Sequence, residues 1–222
     1  MRSPAEAAAG AVCLPGEELV DLKLRGLRLL QNPRFFCFSG DAARLAEFAA
    51  AACPKAQNIC ELGSGNGGLL LALWARLPAA ACTGLEVLPS NAELAERTLA
   101  LNRGVPGLAE HCRFVCGDWR QYGRYFAEGE FDLIVSNPPF WPCGDGRLSP
   151  VLERRAATHE VFGGLADMLR AAAALLCPGG QICLLLAAER ADTAQSLLQQ
   201  LGISLQERQY FARRVIIRAQ KG

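Results

Sequence analysis

The stretch Ser136-Asn137-Pro138-Pro139-Phe140-Trp141 has the residue types and order that most directly spell out a chemistry. Two consecutive prolines hold the backbone extended and contribute no amide donors. The side-chain oxygen of Asn137 and the carbonyl of Pro138 are then free to accept hydrogen bonds, and two neighbouring acceptors suit a planar NH2 group. The nitrogen of such a group is a poor nucleophile, because its lone pair is delocalised into the adjoining π-system. Acceptors that draw on its protons help to rehybridise it. Phe140 is expected to stack on the planar group and hold it in line with an electrophile. Asn137, Pro138, Pro139 and Phe140 are the expected catalytic set, with no metal and no strong base required.

A second motif, Glu61-Leu62-Gly63-Ser64-Gly65-Asn66-Gly67-Gly68, sits between an apolar strand-like run and a helical one. Its glycines let the backbone turn tightly and approach a ligand at a helix N-terminus. Read as G-x-G-x-x-G over Gly63, Gly65 and Gly68, the loop would cradle a pyrophosphate, with Glu86 holding a ribose. Read as acidic-x-G-x-G-x-G, it suits S-adenosyl-L-methionine (SAM). Glu61 then faces the cationic methionine end, Gly63, Gly65 and Gly67 make the turn, and Glu86 takes both ribose hydroxyls. Asp118 in Cys116-Gly117-Asp118-Trp119 is placed to meet an adenine amine with Trp119 beside the ring, or else is a solvated turn residue. The loop by itself leaves the two cofactors open; the Asn-Pro-Pro-Phe motif argues against a dehydrogenase.

These motifs need a scaffold that brings their loops to one edge, and the chain supplies its pattern. Strand-like runs at Asn58–Leu62, Ala81–Glu86, Cys112–Cys116, Phe131–Ser136 and Gln181–Ala187 alternate with helical segments at Leu69–Arg76, Ser90–Asn102, His159–Leu176 and about Asp192–Leu201. The second of these helices carries a capping box, Ser90 with Glu93, and closes at Gly104. Pro178-Gly179-Gly180 stops the third. Such alternation predicts a parallel sheet with helices on both faces. Ile203–Tyr210 and Arg213–Ala219 are separated only by Phe211 and Ala212, so they pair antiparallel. The expected fold is α/β and Rossmann-like: a seven-stranded, mostly parallel sheet closed by a C-terminal antiparallel hairpin. Residues 1–40 are expected to form an N-terminal arm packed on a catalytic domain of residues 41–222.

The composition admits this fold. Hydrophobic residues make up 51% of 222 residues and charged residues 20%, which excludes a disordered or collagen-like chain. Lys+Arg 23 against Asp+Glu 22 names no partner, so a nucleic acid would have to be held by a local basic patch. No apolar run approaches the roughly 20 residues of a membrane helix, and the N-terminus lacks the apolar core of a secretory signal. A cytoplasmic protein, a monomer or weak homodimer, is expected. None of the ten cysteines is spaced C-x-x-C, and Cys60, Cys82 and Cys183 lie in apolar strand-like runs. Buried free thiols in a reducing compartment are expected, with no structural zinc.

On these residues the chain resembles the class I SAM-dependent methyltransferases that modify amines next to a planar π-system. Within them it is most similar to the bacterial valine tRNA (adenine-37-N6)-methyltransferase family. Leu27-Arg28-Leu29-Leu30-Gln31-Asn32-Pro33-Arg34-Phe35-Phe36-Cys37-Phe38-Ser39-Gly40-Asp41-Ala42 matches that family's segment ahead of the sheet in character. Arg155-Ala156-Ala157-Thr158-His159-Glu160 resembles its Ala-Arg-His-Glu-like stretch, departing at Ala157-Thr158. The resemblance implies SAM as cofactor and RNA, most often tRNA, as substrate. It places Phe140, Trp141, Arg34, Arg154 and Arg155 at the substrate. Lys23, Arg25, Arg28, Arg147, Arg208, Arg213, Arg214, Arg218 and Lys221 could add phosphate contacts or be solvated surface charges. His159 and Glu160 could be catalytic, but capping a helix start or anchoring the loop is the better expectation. The alternatives are a protein-glutamine or rRNA guanine-N2 methyltransferase, or a non-catalytic SAM- or RNA-binding module.

Overall fold

The computed structural model describes residues 13–142 and 148–222. Cys143, Arg147 and residues 1–12 of the expected arm lie outside the described residues. Seven strands form one sheet: β3 (Asn58–Leu62), β4 (Ala81–Glu86), β5 (Cys112–Cys116), β6 (Phe131–Ser136), β7 (Leu176–Ala187), β8 (Ile203–Phe211) and β9 (Arg214–Lys221). Their order is β5-β4-β3-β6-β7-β9-β8, with β3 to β7 mutually parallel and β9 antiparallel to both neighbours. This is the expected sheet. Its central strands read as unbroken apolar runs because both faces are covered. Ile59, Leu133, Leu185 and Ile216 pack with helices α1 (Gly40–Ala52), α2 (Gly68–Trp74) and α3 (Pro89–Leu101) on one face. Their chain neighbours Cys60, Ile134, Leu184 and Ile217 pack on the other. Such alternation follows from the two-residue period of a strand.

The remaining helices depart from expectation in instructive ways. The segment expected to be helical from His159 divides: α5 (Leu152–Thr158), after the short α4 (Leu108–His111), ends at His159, and α6 (Leu165–Leu175) begins after Gly163 and Gly164. The paired glycines permit the break, and Gly163 adopts a φ of 118°. α6 and α7 (Ala191–Gln200) cover the second face. Pro178-Gly179-Gly180 does not precede β7 but lies inside it, where the pairing with β6 shifts register between Phe131 and Leu133. The Ser90–Glu93 capping box does not form. Pro89 opens α3 instead, and the Ser90 hydroxyl bonds Glu153 of α5 at 2.9 Å. Asn102 rather than Gly104 ends α3: its Nδ2 donates to the carbonyls of Thr98 and Arg28.

Ahead of α1, β1 (Glu18–Asp21) and β2 (Arg28–Gln31) form a two-stranded antiparallel hairpin that the sequence reading did not resolve. Polar side chains of α3 meet the backbone of β2. Asn102 Oδ1 accepts from the Arg28 amide at 2.9 Å and Thr98 Oγ1 from that of Leu30 at 3.2 Å. Glu17 and Arg97 add a largely buried ion pair. No helix among the described residues is long and apolar enough to cross a membrane.

The glycine loop shows how tightly the fold is drawn here. Gly65 and Gly67 both have positive φ, 53° and 82°. A Cβ at Gly65 would meet nothing within 4 Å, whereas one at Gly67 would run into the Phe114 ring. Gly65→Ala should therefore cost only the backbone strain, about 1–2 kcal/mol. Gly67→Ala adds overpacking and should cost about 2–5 kcal/mol. Urea unfolding of the two variants checks this; equal losses would mean that Phe114 moves aside freely.

Candidate active site

The carboxyl ends of β3, β4 and β6 carry the site. β3 and β6 pair in register, Glu61 opposite Val135, so the glycine loop and the Asn-Pro-Pro-Phe loop leave the sheet side by side. The buried Ser136 hydroxyl donates to the Leu62 carbonyl at 2.7 Å, fastening the two loops one residue before each begins to function. The Gly63 and Ser64 amides donate to the Leu85 carbonyl, at 2.8 and 3.1 Å. Glu86 completes the turn, accepting from the Gly65 amide at 2.8 Å on one oxygen and from the Leu88 amide at 2.9 Å on the other.

Together these loops form one wall of a cleft of about 860 Å³, including the solvent at its mouth. Glu61, Gly63, Gly65, Glu86 and Trp119, read from the sequence as cofactor residues, line it, and Asn137, Pro138 and Pro139 line it too, just after β6. Three buried oxygens on cleft residues have no hydrogen-bond partner: Glu61 Oε2, Ser64 Oγ and Asn137 Oδ1. Burial pushes the Glu61 carboxyl well above the usual carboxylate range; a hydrogen bond from the Leu70 backbone opposes this, and the Glu86 charge adds to it. Glu86 is also raised by burial, against the pull of the backbone amides it accepts from. A carboxyl whose ionisation is opposed by burial is best ionised beside a cation. Glu61 thus fits an ammonium group, and the second lone pairs of Glu86 fit hydroxyls.

Several expected site residues lie elsewhere. Gly67 does not border the cleft; it packs on Phe114 and starts α2. Asp118 caps the 3-10 turn Trp119–Arg124 and pairs with Arg120 at 2.5 Å. Burial opposes its ionisation, but Arg120 wins and holds the carboxyl below its ordinary range. An Asp so engaged is not among the cleft residues. Phe140 is buried, 7% exposed, with the Arg214 guanidinium 4.1 Å over its ring, so its face is already taken. Trp141 and Phe36 are exposed, 38% and 37%, and Phe36 also borders the cleft. Arg34 and Arg154 are exposed and Arg155 half-buried; none borders the cleft, although Ala156 and Ala157 of the same helix α5 do.

His159 is buried, pairs with Trp141 in an isolated bridge, and has its Nδ1 2.9 Å from Thr158 Oγ1, contacts that suit an anchor of the loop. The sequence reading missed Ser136, Phe162 and Arg190. Ser136 could have been found, since it directly precedes Asn137 at a strand's carboxyl end. Arg190 carries no local signal.

A family model for the methyltransferase small domain matches residues 40–211. The chain belongs to that family. The methyltransferase small domain protein has curated relatives of two kinds. A release factor glutamine methyltransferase of Rhodospirillum rubrum is 34% identical over 152 residues, 65% of this chain and 44% of its own. A tRNA1(Val) (adenine(37)-N6)-methyltransferase of Porphyromonas gingivalis is 32% identical over 146 residues, 65% of this chain and 54% of its own. The chain spans about half the length of the curated relatives it matches. A predicted O-methyltransferase, Atu636 of Agrobacterium tumefaciens, shares the fold with a TM-score of 0.62 at 23% identity, over 82% of this chain and 81% of that one. TrmN from Thermus thermophilus does so with a TM-score of 0.57 at 23% identity, over 81% and 48%. The family and the orphaned acceptor at Glu61 agree on S-adenosyl-L-methionine as the cofactor of this class I methyltransferase.

A raised carboxyl stabilises the ligand-free protein fully below the ordinary carboxylate range, and that contribution is lost as pH rises through the raised value. Bound SAM needs the charged form. Its affinity should therefore increase with pH across that window, with a proton released on binding. Calorimetry in two buffers of different ionisation heat reads this directly. Glu61→Gln should weaken binding and flatten the pH dependence; a wild-type affinity independent of pH would remove Glu61 from the ammonium site.

Proposed function

We propose that this methyltransferase transfers a methyl group to the exocyclic amine of an adenine in RNA, most readily a tRNA. The unpartnered Asn137 Oδ1, on a residue that borders the cleft together with Pro138, carries the reading. SAM, when bound, supplies an electrophilic methyl group. Asn137 Oδ1 and the Pro138 carbonyl hold the two amine protons, orient the NH2 group and favour the geometry in which its lone pair is available. Phe36, exposed where it borders the cleft, offers aromatic surface for an unstacked base, and Trp141 next to the Asn-Pro-Pro-Phe loop is exposed as well. Arg34 and Arg154 are exposed, two residues in sequence from the cleft residues Phe36 and Ala156, and form no ion pair among the described residues. They suit a phosphate backbone.

The glutamine methyltransferases among the relatives support a second reading, a planar side-chain amide in a protein. The acceptor pair serves either amine, so the substrate is decided at the rim. Labelled methyl transfer from SAM to tRNA, rRNA and a release factor, side by side, separates the two. Incorporation into tRNA alone is expected, and incorporation into the release factor alone overturns the RNA reading. Asn137→Ala should cut turnover by about a hundredfold or more while leaving SAM affinity nearly unchanged. Charge reversal of Arg154 and Arg155 should weaken tRNA binding and make the salt dependence shallower by about two charges, measured by filter binding over a salt series. An unchanged slope would take these arginines out of the RNA path.

A further inference from the structure

Prolines 138 and 139 fix their own φ but not ψ, and ψ sets where each carbonyl points. With no amide donors on either proline, the loop needs outside partners to orient its carbonyls. Arg190 supplies them from the carboxyl edge just past β7. Its Nη1 donates to the Pro139 carbonyl at 3.2 Å and the Phe140 carbonyl at 3.4 Å. Its Nη2 bonds Glu160 Oε1 at 2.6 Å, with both side chains only 15% exposed. Glu160 is itself fixed. The same oxygen accepts from the Leu165 amide at 3.0 Å, and a Cβ at Gly164 would come within 2.8 Å of the other. Beyond the loop, the Trp141 amide donates to Thr158 and the Glu160 amide to Trp141, at 3.1 and 3.0 Å.

We propose that Arg190, oriented by Glu160, is the positioning residue of the reaction: it draws the Pro139 and Phe140 carbonyls to itself and so leaves Asn137 Oδ1 and the Pro138 carbonyl directed at the target amine. This rests on the planar-amine reading above. The planar guanidinium spans two carbonyls and a carboxylate at once, which a lysine ammonium, a single point charge, does less well. The reacting atoms never touch it. Its effect travels through loop torsions, so it belongs in kcat rather than in cofactor binding.

Steady-state methyl transfer by the full chain, with SAM affinity measured by calorimetry, tests this. Arg190→Ala should lower kcat by about a hundredfold, the cost of misplacing a reacting group by about 1 Å. KM for SAM and its calorimetric affinity should stay within about twofold. Millimolar guanidinium ion should restore part of kcat, and Arg190→Lys should retain part of it. Adding Asn137→Ala to Arg190→Ala should cost little more than either alone, because both act on one acceptor pair. An Arg190→Ala variant with wild-type kcat overturns the proposal. So does a loss that tracks SAM affinity and melting temperature and resists guanidinium. If the alanine variant does not fold, Arg190→Lys decides, and an unchanged kcat there counts against the role. A wild-type protein that methylates no planar amine would instead sink the functional reading itself.

Discussion

The buried hydrogen bond from Ser136 Oγ to the Leu62 carbonyl joins the last residue of one strand to the last residue of its neighbour, at the point where both loops of the site begin. Parallel pairing of β3 and β6 aligns the strands, but a parallel ladder ends where the chains diverge, and the Leu62 carbonyl would be left there without a partner. A buried carbonyl left unpaired costs about 1–3 kcal/mol. Satisfying it with a side chain from the next strand fixes the spacing between the glycine loop and the Asn-Pro-Pro-Phe loop. The glycine turn then closes through Glu86, and the proline turn through Arg190. Both closures are charged groups binding backbone, which locks loops that have few amide partners of their own.

The same edge carries unmet demand. Glu61 Oε2 and Asn137 Oδ1 are buried acceptors with nothing to accept from, and two raised carboxyls sit near one another in the cleft floor. Each weakens the ligand-free protein. Each would be met by a ligand bearing a cation at one end and, on the other wall, a planar amine.

Much of this was legible from residue order. The seven strands and their closing hairpin follow from apolar runs and a two-residue turn, and the glycine and Asn-Pro-Pro-Phe loops declare themselves by composition. Local patterns failed where a distant residue took the partner. Ser90 looks like a cap but bonds Glu153 of a distant helix. Phe140 looks like a stacking platform but is covered by Arg214, 74 positions along the chain. Gly67 looks like part of a ligand cradle and is required by Phe114. Arg190 could not have been chosen from its neighbourhood, because its role depends on β7 delivering it to the loop after β6. In each case the missing information was tertiary proximity.

We propose that the Asn137 and Pro138 acceptors receive an adenine amine in RNA, with the rim of the cleft choosing between a base and a protein amide. Mass spectrometry of nucleosides released from RNA after incubation with the protein and SAM tests it most directly. N6-methyladenosine is expected as the new nucleoside, absent when Asn137 is replaced by Ala. The appearance of N2-methylguanosine instead, or of methylglutamine in a release factor with unmodified RNA, would contradict it.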